Sequence, residues 1–237
     1  PNIAPFYAFR AGMSENPGSR LADLKKALEI DKSWRYHALL ANYYVEKSQL
    51  NDALSLTQQY YQQHPKDPAA GFYLSKLYLK NGAFNMADEL LGKIDLLPAE
   101  GSTEVYDTYR EIQLMLAVEQ MKAGKFTPAL KYITLAMKYP PKFGIGALYE
   151  NETDYRLEQW MSYLCYLKMG KHKDAGQMLS NIIDYTPRPP VWGALSMANH
   201  LLTALAYDRL NKHDQAHYFI SNESKNTPTL AGVYQSL

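Results

Sequence analysis

A short frame of residues recurs along the chain: a glycine, an aromatic residue two positions later, and an alanine three positions after that. Glycine or asparagine can adopt the left-handed conformation that ends a helix, and a small alanine lets two helices cross closely. Each copy of the frame therefore predicts a tight turn between two helices. Complete copies begin at Gly82, Gly124 and Gly170, and degraded copies begin at Ser48 and Asn211; their alanines are Ala53, Ala87, Ala129, Ala175 and Ala216.

Further positions keep a fixed distance from each alanine. Twelve residues before it stands a small residue or a tyrosine, and three residues after that position a tyrosine follows in most copies. A proline that would end the second helix usually stands twelve residues after the alanine. These positions resemble the tetratricopeptide repeat (TPR) pattern, and the 34 positions from Ala53 to Ala87 equal its period. The residues twelve positions before the alanines are Ala41, Ser75, Ala117, Tyr163 and Ala204. The tyrosines that follow them are Tyr44, Tyr78, Tyr166 and Tyr207, with Gln120 as the exception. The prolines are Pro65, Pro141, Pro187 and Pro228, with Pro98 one place early.

The predicted fold is all-α: a right-handed TPR-like α-α superhelix of about six helical hairpins, with residues 1–237 as a single domain. An incomplete hairpin opens the chain, since segment 24–31 has the pattern of a second helix but Ser19 or Arg20 replaces alanine at the crossing. Segments 97–102, 143–149 and 186–190 have the composition of inserted loops, and a short closing helix is predicted near 230–236. Because the chain begins at Pro1 rather than Met, we expect a fragment of a longer protein.

Composition argues against several classes of function. The net charge is only +1, whereas surfaces that bind nucleic acid are visibly basic. No apolar run in the sequence approaches the roughly 20 residues that span a bilayer. The single cysteine, Cys165, excludes an internal disulfide and is expected to be a small buried hydrophobe. We therefore predict no nucleic-acid partner and no membrane span; the compartment is left open, with the cytoplasm slightly favoured.

No pattern of residues indicates a reaction. His213 and His217 lie four positions apart, a spacing suited to zinc. No catalytic glutamate follows the first of them, however, and His213 fills the aromatic place of the repeat. Glu150, Glu152 and Asp154 precede a helix, where acidic residues favour the helix dipole. The chain is therefore predicted not to be an enzyme, with no catalytic residue, no metal and no cofactor.

The first helix of each hairpin in a TPR array lines a concave groove that can receive a partner. The corresponding stripe of this chain is more apolar toward the C-terminus than contact with solvent favours. Two interpretations stay open: the inserted loops pack into the groove and bury it, or the groove binds a peptide or a neighbouring domain. The predicted groove residues are Asn42, Phe72, Lys76, Leu114, Met121, Trp160, Leu164, Leu167 and Leu205.

Several stretches carry a closer resemblance: 7–11, 20–24, 27–28, 33–35, 97–101 and 139–146. In this order they resemble the C-terminal TPR region of a large uncharacterised bacterial family, in which a β-rich, carbohydrate-enzyme-like domain precedes the repeats. Residues 141–143 depart from the Pro-Glu-Asn-Leu-like run expected there. The resemblance implies that an upstream partner domain is missing from this chain.

The sequence therefore predicts a non-catalytic scaffold that binds a peptide, a partner protein or its own upstream domain in a partly apolar groove. The alternative is an accessory domain that shapes a sugar-processing site on the missing β-rich domain. That alternative rests on the family resemblance and on the 20 tyrosines, whose rings can stack on sugars.

Overall fold

The computed structural model describes residues 2–95, 103–143, 153–185 and 197–223. Within these ranges the chain forms α-helices and one 3-10 turn, and no strand. Consecutive helices pair as six hairpins, the number that the sequence predicts. The helices are α1 (Ala4–Met13), α2 (Pro17–Ile30), α3 (Trp34–Glu46), α4 (Leu50–Gln63), α5 (Pro68–Lys80), α6 (Phe84–Lys93), α7 (Glu104–Lys122), α8 (Phe126–Ala136), α9 (Arg156–Lys168), α10 (His172–Ile183), α11 (Met197–Arg209) and α12 (His213–Glu223), and the 3-10 turn is Pro141–Phe143.

The chain divides into two compact units. The first comprises Pro1–Ile112 with Lys142–Gly144, and the second comprises Gln113–Pro141 with Ile145–Leu237. The single domain over residues 1–237 stays a prediction. None of the helices in the described ranges combines the length and the apolarity that a membrane crossing requires.

Five of the hairpin turns share one backbone pattern. The turn residue has a φ of 58° at Ser48 and Asn211, 77° at Gly82, and 72° at Gly124 and Gly170. In each turn, the amide of the next residue donates to the carbonyl five residues back, at distances between 2.8 and 2.9 Å. This Schellman arrangement satisfies carbonyls that the end of a helix would otherwise leave unpaired. The turn positions predicted from the sequence are confirmed.

Small side chains sit where the two helices of a hairpin cross. Four pairs are fully buried, at 0% exposure on both helices, because a larger side chain would hold the helices apart. In the fifth pair, Tyr163 is 7% exposed and Ala175 is 3% exposed. The predicted crossing positions are therefore confirmed. The four fully buried pairs are Ala41 with Ala53, Ser75 with Ala87, Ala117 with Ala129, and Ala204 with Ala216.

Each unit has its own apolar clusters. In the first unit, one cluster joins α3, α4 and α5, and two smaller clusters join α1, α2 and α3. In the second unit, one cluster joins α7, α8 and α9, and another joins α9, α10 and α11. Because each cluster joins helices of adjacent hairpins, each hairpin is stabilised in part by the hairpin next to it.

The first hairpin differs from the incomplete copy that the sequence predicts, because α1 packs along α2 as a full partner. Its turn is bounded by Ser14 and Asn16, both with extended backbone, and the Asn16 side chain caps α2 by accepting from the Ser19 amide at 3.0 Å. Ser19 is exposed and Arg20 is partly exposed, so the crossing position predicted there is wrong, and Arg20 faces α3 instead. Its guanidinium lies 5.4 Å from the centre of the Tyr43 ring, and it donates to Glu46 at 2.7 Å.

The predicted loop segments lie almost entirely outside the described residues, as does the closing helix near 230–236. Phe143 is the exception: it lies between two hairpins as predicted, but its side chain is buried, which the loop prediction does not include. It ends the 3-10 turn, is only 2% exposed, and its ring centre lies 5.5 Å from that of Tyr109. Phe143 is therefore part of the apolar core of the first unit.

Candidate partner-binding surface

The nine predicted groove residues all lie on first helices of hairpins, as the repeat pattern requires. None of them is buried: Asn42 and Leu167 are exposed, and the others are partly exposed. Three of them belong to the first unit and six to the second. Their participation in one groove stays a prediction.

In the first unit, the predicted residue Asn42 belongs to a polar and aromatic surface. The Tyr73 hydroxyl on α5 donates to Asn42 Oδ1 on α3 at 2.7 Å. The rings of Trp34 and Tyr73 are in an edge-to-face arrangement, with 5.5 Å between the ring centres. Burial raises the pKa of Tyr73 to about 12, with a smaller contribution from the negative charge of Glu46. Sequence reasoning did not assign Trp34 or Tyr73 to the surface, since nothing local indicates that residues 31 positions apart meet.

The other two predicted residues of this unit, Phe72 and Lys76, contact each other. The Lys76 ammonium lies 5.6 Å from the centre of the Phe72 ring, within the range of a cation–π contact. The same ammonium pairs with the carboxylate of Glu104 at the start of α7. Because Glu104 compensates the charge of Lys76, the lysine is a weak site for an anionic partner.

Tyr73 gives this surface a testable response to alkaline pH. Its pKa is about 12 when folded, against an ordinary value of 10.0. The stability that Tyr73 contributes is therefore fully present below pH 10 and is lost as the pH rises through about 12. Relative to Tyr73→Phe, we expect the free energy of unfolding of the wild type to hold its advantage up to about pH 10 and to lose it progressively toward pH 12. Urea unfolding at a series of pH values measures this difference, and a constant difference between pH 10 and pH 12 would contradict the expectation.

In the second unit, the exposed side of α9 carries a row of apolar side chains from the first turn to the last, with Lys168 beside its end. Leu157, Trp160, Leu164 and Leu167 recur at helical spacing on that side, and we call them the α9 stripe. Leu157 is 39% exposed and Leu167 is 40% exposed, and the two residues between them are partly exposed. Leu157 was not among the predicted groove residues, although its position three residues before Trp160 could have identified it.

The core of the second unit holds the middle of the α9 stripe in place. The Trp160 ring centre lies 5.1 Å from that of the buried Tyr163, and both Trp160 and Leu164 pack against the cluster shared by α9, α10 and α11. Of the remaining predicted residues, Leu114 and Met121 pack against the cluster shared by α7, α8 and α9. Leu205 is partly exposed and lies between the buried Ala204 and Ala206. Trp160, Leu164, Leu114 and Met121 therefore each pack against a buried cluster and remain partly exposed.

A buried ion pair fixes the start of α9. Arg156 is only 4% exposed, and its guanidinium donates to the Asp154 carboxylate at 3.0 and 2.7 Å. It also donates to Thr203 Oγ1 on α11 at 2.8 Å and lies 4.6 Å from the centre of the Tyr185 ring. Asp154 therefore does more than the predicted favouring of the helix dipole. It neutralises an arginine that joins α9 to α11.

The remaining candidate groups have structural partners. Cys165 is 0% exposed, and burial raises the pKa of its thiol, so the prediction of a small buried hydrophobe is confirmed. His213 Nδ1 shares a hydrogen bond with Asp208 Oδ1 at 2.8 Å across the turn of the last hairpin. In the ranges that the structure covers, no group of three histidine, cysteine or acidic side chains could hold a metal ion.

Comparison with known proteins places the fold. No protein-family model and no curated protein sequence matches the chain. The solved structure of Pseudomonas aeruginosa pilF is similar over 98% of this chain and 96% of its own length, at 15% identity and a TM-score of 0.54. BtubC (BKLC) from P. vanneervenii is similar over 97% of this chain and 92% of its own length, at 14% identity and a TM-score of 0.54. A tetratricopeptide repeat protein from Parabacteroides merdae aligns with 96% of this chain and 79% of its own length, at 12% identity and a TM-score of 0.46.

At these identities a likeness shows the fold alone. The two structures with the higher TM-scores match nearly the whole chain, and the repeated turns and crossing residues described above are those of the TPR pattern. The predicted fold class is confirmed: the chain has an all-α, TPR-like fold.

Proposed function

We propose that this chain is a non-catalytic protein-interaction scaffold, and that the α9 stripe is the centre of its binding surface. The observation that carries the proposal is the exposure of four apolar side chains in a row on the first helix of a hairpin. Isolated exposed leucines are ordinary on protein surfaces, whereas a continuous apolar row is typical of an interaction site.

The dimensions of the α9 stripe suit a peptide or a helix. Ten residues separate Leu157 from Leu167, so the stripe is about 15 Å long. An amphipathic helix or an extended segment with apolar side chains at its own periodic spacing can cover such a row. Trp160 provides a large ring anchored against Tyr163, and tryptophan is enriched among the residues that carry most of the energy of an interface.

The groove residues on the flanking first helices extend this surface in the proposal. Leu114 and Met121 on α7 and Leu205 on α11 are partly exposed and apolar, as a partner with several hydrophobic anchors would require. The partner is a protein or peptide, including the upstream domain that the family resemblance implies. The accessory role at a sugar-processing site rests on that resemblance and on the abundance of tyrosine, and it has no support from the solved structures.

The test is affinity capture from a bacterial lysate with the immobilised chain, comparing the wild type with Leu167→Arg. The matched control is Leu135→Arg, because Leu135 is also 40% exposed but lies on α8, the second helix of its hairpin. We expect a protein that the wild type and Leu135→Arg retain to be reduced at least about tenfold by Leu167→Arg, since an arginine would leave its charge facing an apolar partner.

Circular dichroism melts of the three proteins serve as the folding control, and all three should match because both positions are exposed. If every captured protein binds Leu167→Arg as well as it binds the wild type, the α9 stripe is not the binding surface. An empty eluate counts against a separate protein partner. The next test is then binding of the purified upstream domain to the same three proteins, and equal or absent binding there defeats the proposal.

A further inference from the structure

The first helix of the chain carries a second apolar surface that the proposed function does not use. Ile3 is 53% exposed, Phe6 37%, Phe9 71% and Met13 72%, and we call these four residues the α1 face. They recur at helical spacing along one side of α1, while Ala4 and Ala11 on the other side are buried. Two phenylalanines and a methionine exposed together on ten residues of helix leave a large apolar area in contact with water.

Part of the α1 face corresponds to the side of α3 through which the second hairpin packs on the first. The buried residues Ala11 and Asp23 stand twelve positions apart, like the crossing pair Ala41 and Ala53, so equivalent residues lie 30 positions apart. Phe6 then corresponds to Tyr36 and Met13 to Tyr43. Tyr36 is 3% exposed and Tyr43 is 4% exposed, because this side of α3 packs against the first hairpin. The same side of α1 has the chemistry of a packing surface and remains exposed.

Within α1, no unpaired charge lies beside the α1 face. Arg10 is the only charged residue within α1, and its guanidinium bonds both carboxylate oxygens of Asp23, with 2.6 Å from Nε to Oδ2. The guanidinium also lies 5.5 Å from the centre of the Phe6 ring and 5.2 Å from that of Tyr7. Since Asp23 compensates the charge of Arg10, two such faces can approach without strong repulsion.

The area of the α1 face suits a contact with an identical surface. From the exposed fractions and the size of such side chains, each copy presents about 400–500 Å² of apolar surface. Complete burial of both faces would remove about 800–1,000 Å² from contact with water, and contacts at the rim would add to this. With the rim, the sum reaches the ~1,000 Å² expected of a specific interface.

The order of residues on the face is compatible with two-fold symmetry. In an antiparallel pair of α1 helices with the symmetry axis near position 8, Ile3 of one copy lies beside Met13 of the other. Phe6 then lies beside Arg10 and Phe9 of the second copy, so aromatic rings fill the centre and aliphatic side chains fill the ends. A surface that contacts itself in this way gives a closed dimer.

We propose that two copies of this chain pair through their α1 faces, with the α1 helices antiparallel about a two-fold axis. This dimer uses a different unit of the chain from the α9 stripe, so it does not depend on the proposed function.

Sedimentation equilibrium of the 237-residue chain, from about 1 to 200 µM, tests the proposal. We expect a monomer–dimer equilibrium in the wild type and a dissociation constant at least about tenfold higher in Phe9→Arg. Phe9 is 71% exposed, so the substitution should leave the thermal melt unchanged at concentrations where both proteins are monomers. Leu135→Arg and Leu167→Arg should dimerise as the wild type does. A wild type that stays monomeric over the whole range overturns the proposal, and so does a dimer that Phe9→Arg leaves intact or Leu167→Arg abolishes.

Cross-linking locates the contact. Cys165 is buried, so a cysteine introduced on the surface is the reactive thiol. We expect a short bismaleimide to convert Phe9→Cys into a covalent dimer, because symmetry places the two introduced thiols near the axis. Met86→Cys is the matched control, since Met86 is 49% exposed on α6. Equal cross-linking of the two variants would contradict the α1 contact.

Discussion

Replacing Arg156 by methionine is expected to lower the free energy of unfolding by about 3–5 kcal/mol. The substitution preserves much of the side-chain volume but removes the guanidinium that neutralises Asp154 and bonds Thr203. The Asp154 carboxylate, whose side chain is 15% exposed, would then lose its ion pair with Arg156. Removing a cation from a carboxylate with little access to water is costly, and Thr203 would also lose a charged donor. Urea unfolding followed by circular dichroism gives the change in free energy.

Two controls identify the buried charge as the cause. Arg20→Met also breaks a pair with a carboxylate, but there the side chains are 32% and 50% exposed, so a loss of about 1 kcal/mol or less is expected. The double variant Asp154→Leu/Arg156→Met should recover part of the loss, because it removes both charges. A loss in Arg156→Met no larger than that in Arg20→Met would show that the ion pair contributes little.

Replacing Gly71 by alanine should destabilise the first unit by about 1–3 kcal/mol, although alanine is the better helix former. A Cβ added at Gly71 would lie 2.8 Å from Ile94 Cγ2 and 2.9 Å from Tyr61 Cε2. Those atoms belong to two different segments, so a shift that relieves one contact does not relieve the other. Ile94 is buried and β-branched, which restricts its side chain to few rotamers.

Gly176→Ala is the matched control for this substitution. Gly176 lies in the interior of α10, and a Cβ there would meet no atom within 4 Å. Alanine at this position should stabilise the chain by about 0.5–1 kcal/mol through helix propensity alone. The two glycine-to-alanine changes therefore have opposite expected signs in urea unfolding. A stabilising effect at Gly71 would mean that α5 can move away from Ile94 and Tyr61 at little cost.

The hairpins were predictable because their requirements are local. A helix that ends in a tight turn needs a left-handed residue at one position, and the crossing needs small side chains at fixed distances from that turn. Gly82, Ser75 and Ala87 meet these requirements within a dozen residues of one another. The same helical periodicity predicts Trp160, Leu164 and Leu167 as one stripe on α9, although the prediction does not include Leu157 at the start of the helix.

The polar contacts were not predictable because they join residues of different hairpins. Arg156 bonds Thr203 across 47 positions, and Tyr73 bonds Asn42 across 31. Such pairs depend on how separate hairpins pack, and no local spacing encodes that arrangement. Phe143 was assigned to a loop because glycines and prolines surround it, yet its ring is buried against Tyr109. Burial of this kind overrides the local composition of a segment.

The five matching turns also bear on how the chain folds. Each is closed by backbone bonds that reach back no more than five residues, and the crossing pair of each hairpin is only twelve residues apart. A chain ordered by such short-range contacts loses little loop-closure entropy at each step, so every hairpin can nucleate by itself within microseconds to milliseconds. Each hairpin is then stabilised as the next hairpin packs against it. Local unfolding therefore costs less free energy at a hairpin with one neighbour than at a hairpin with two.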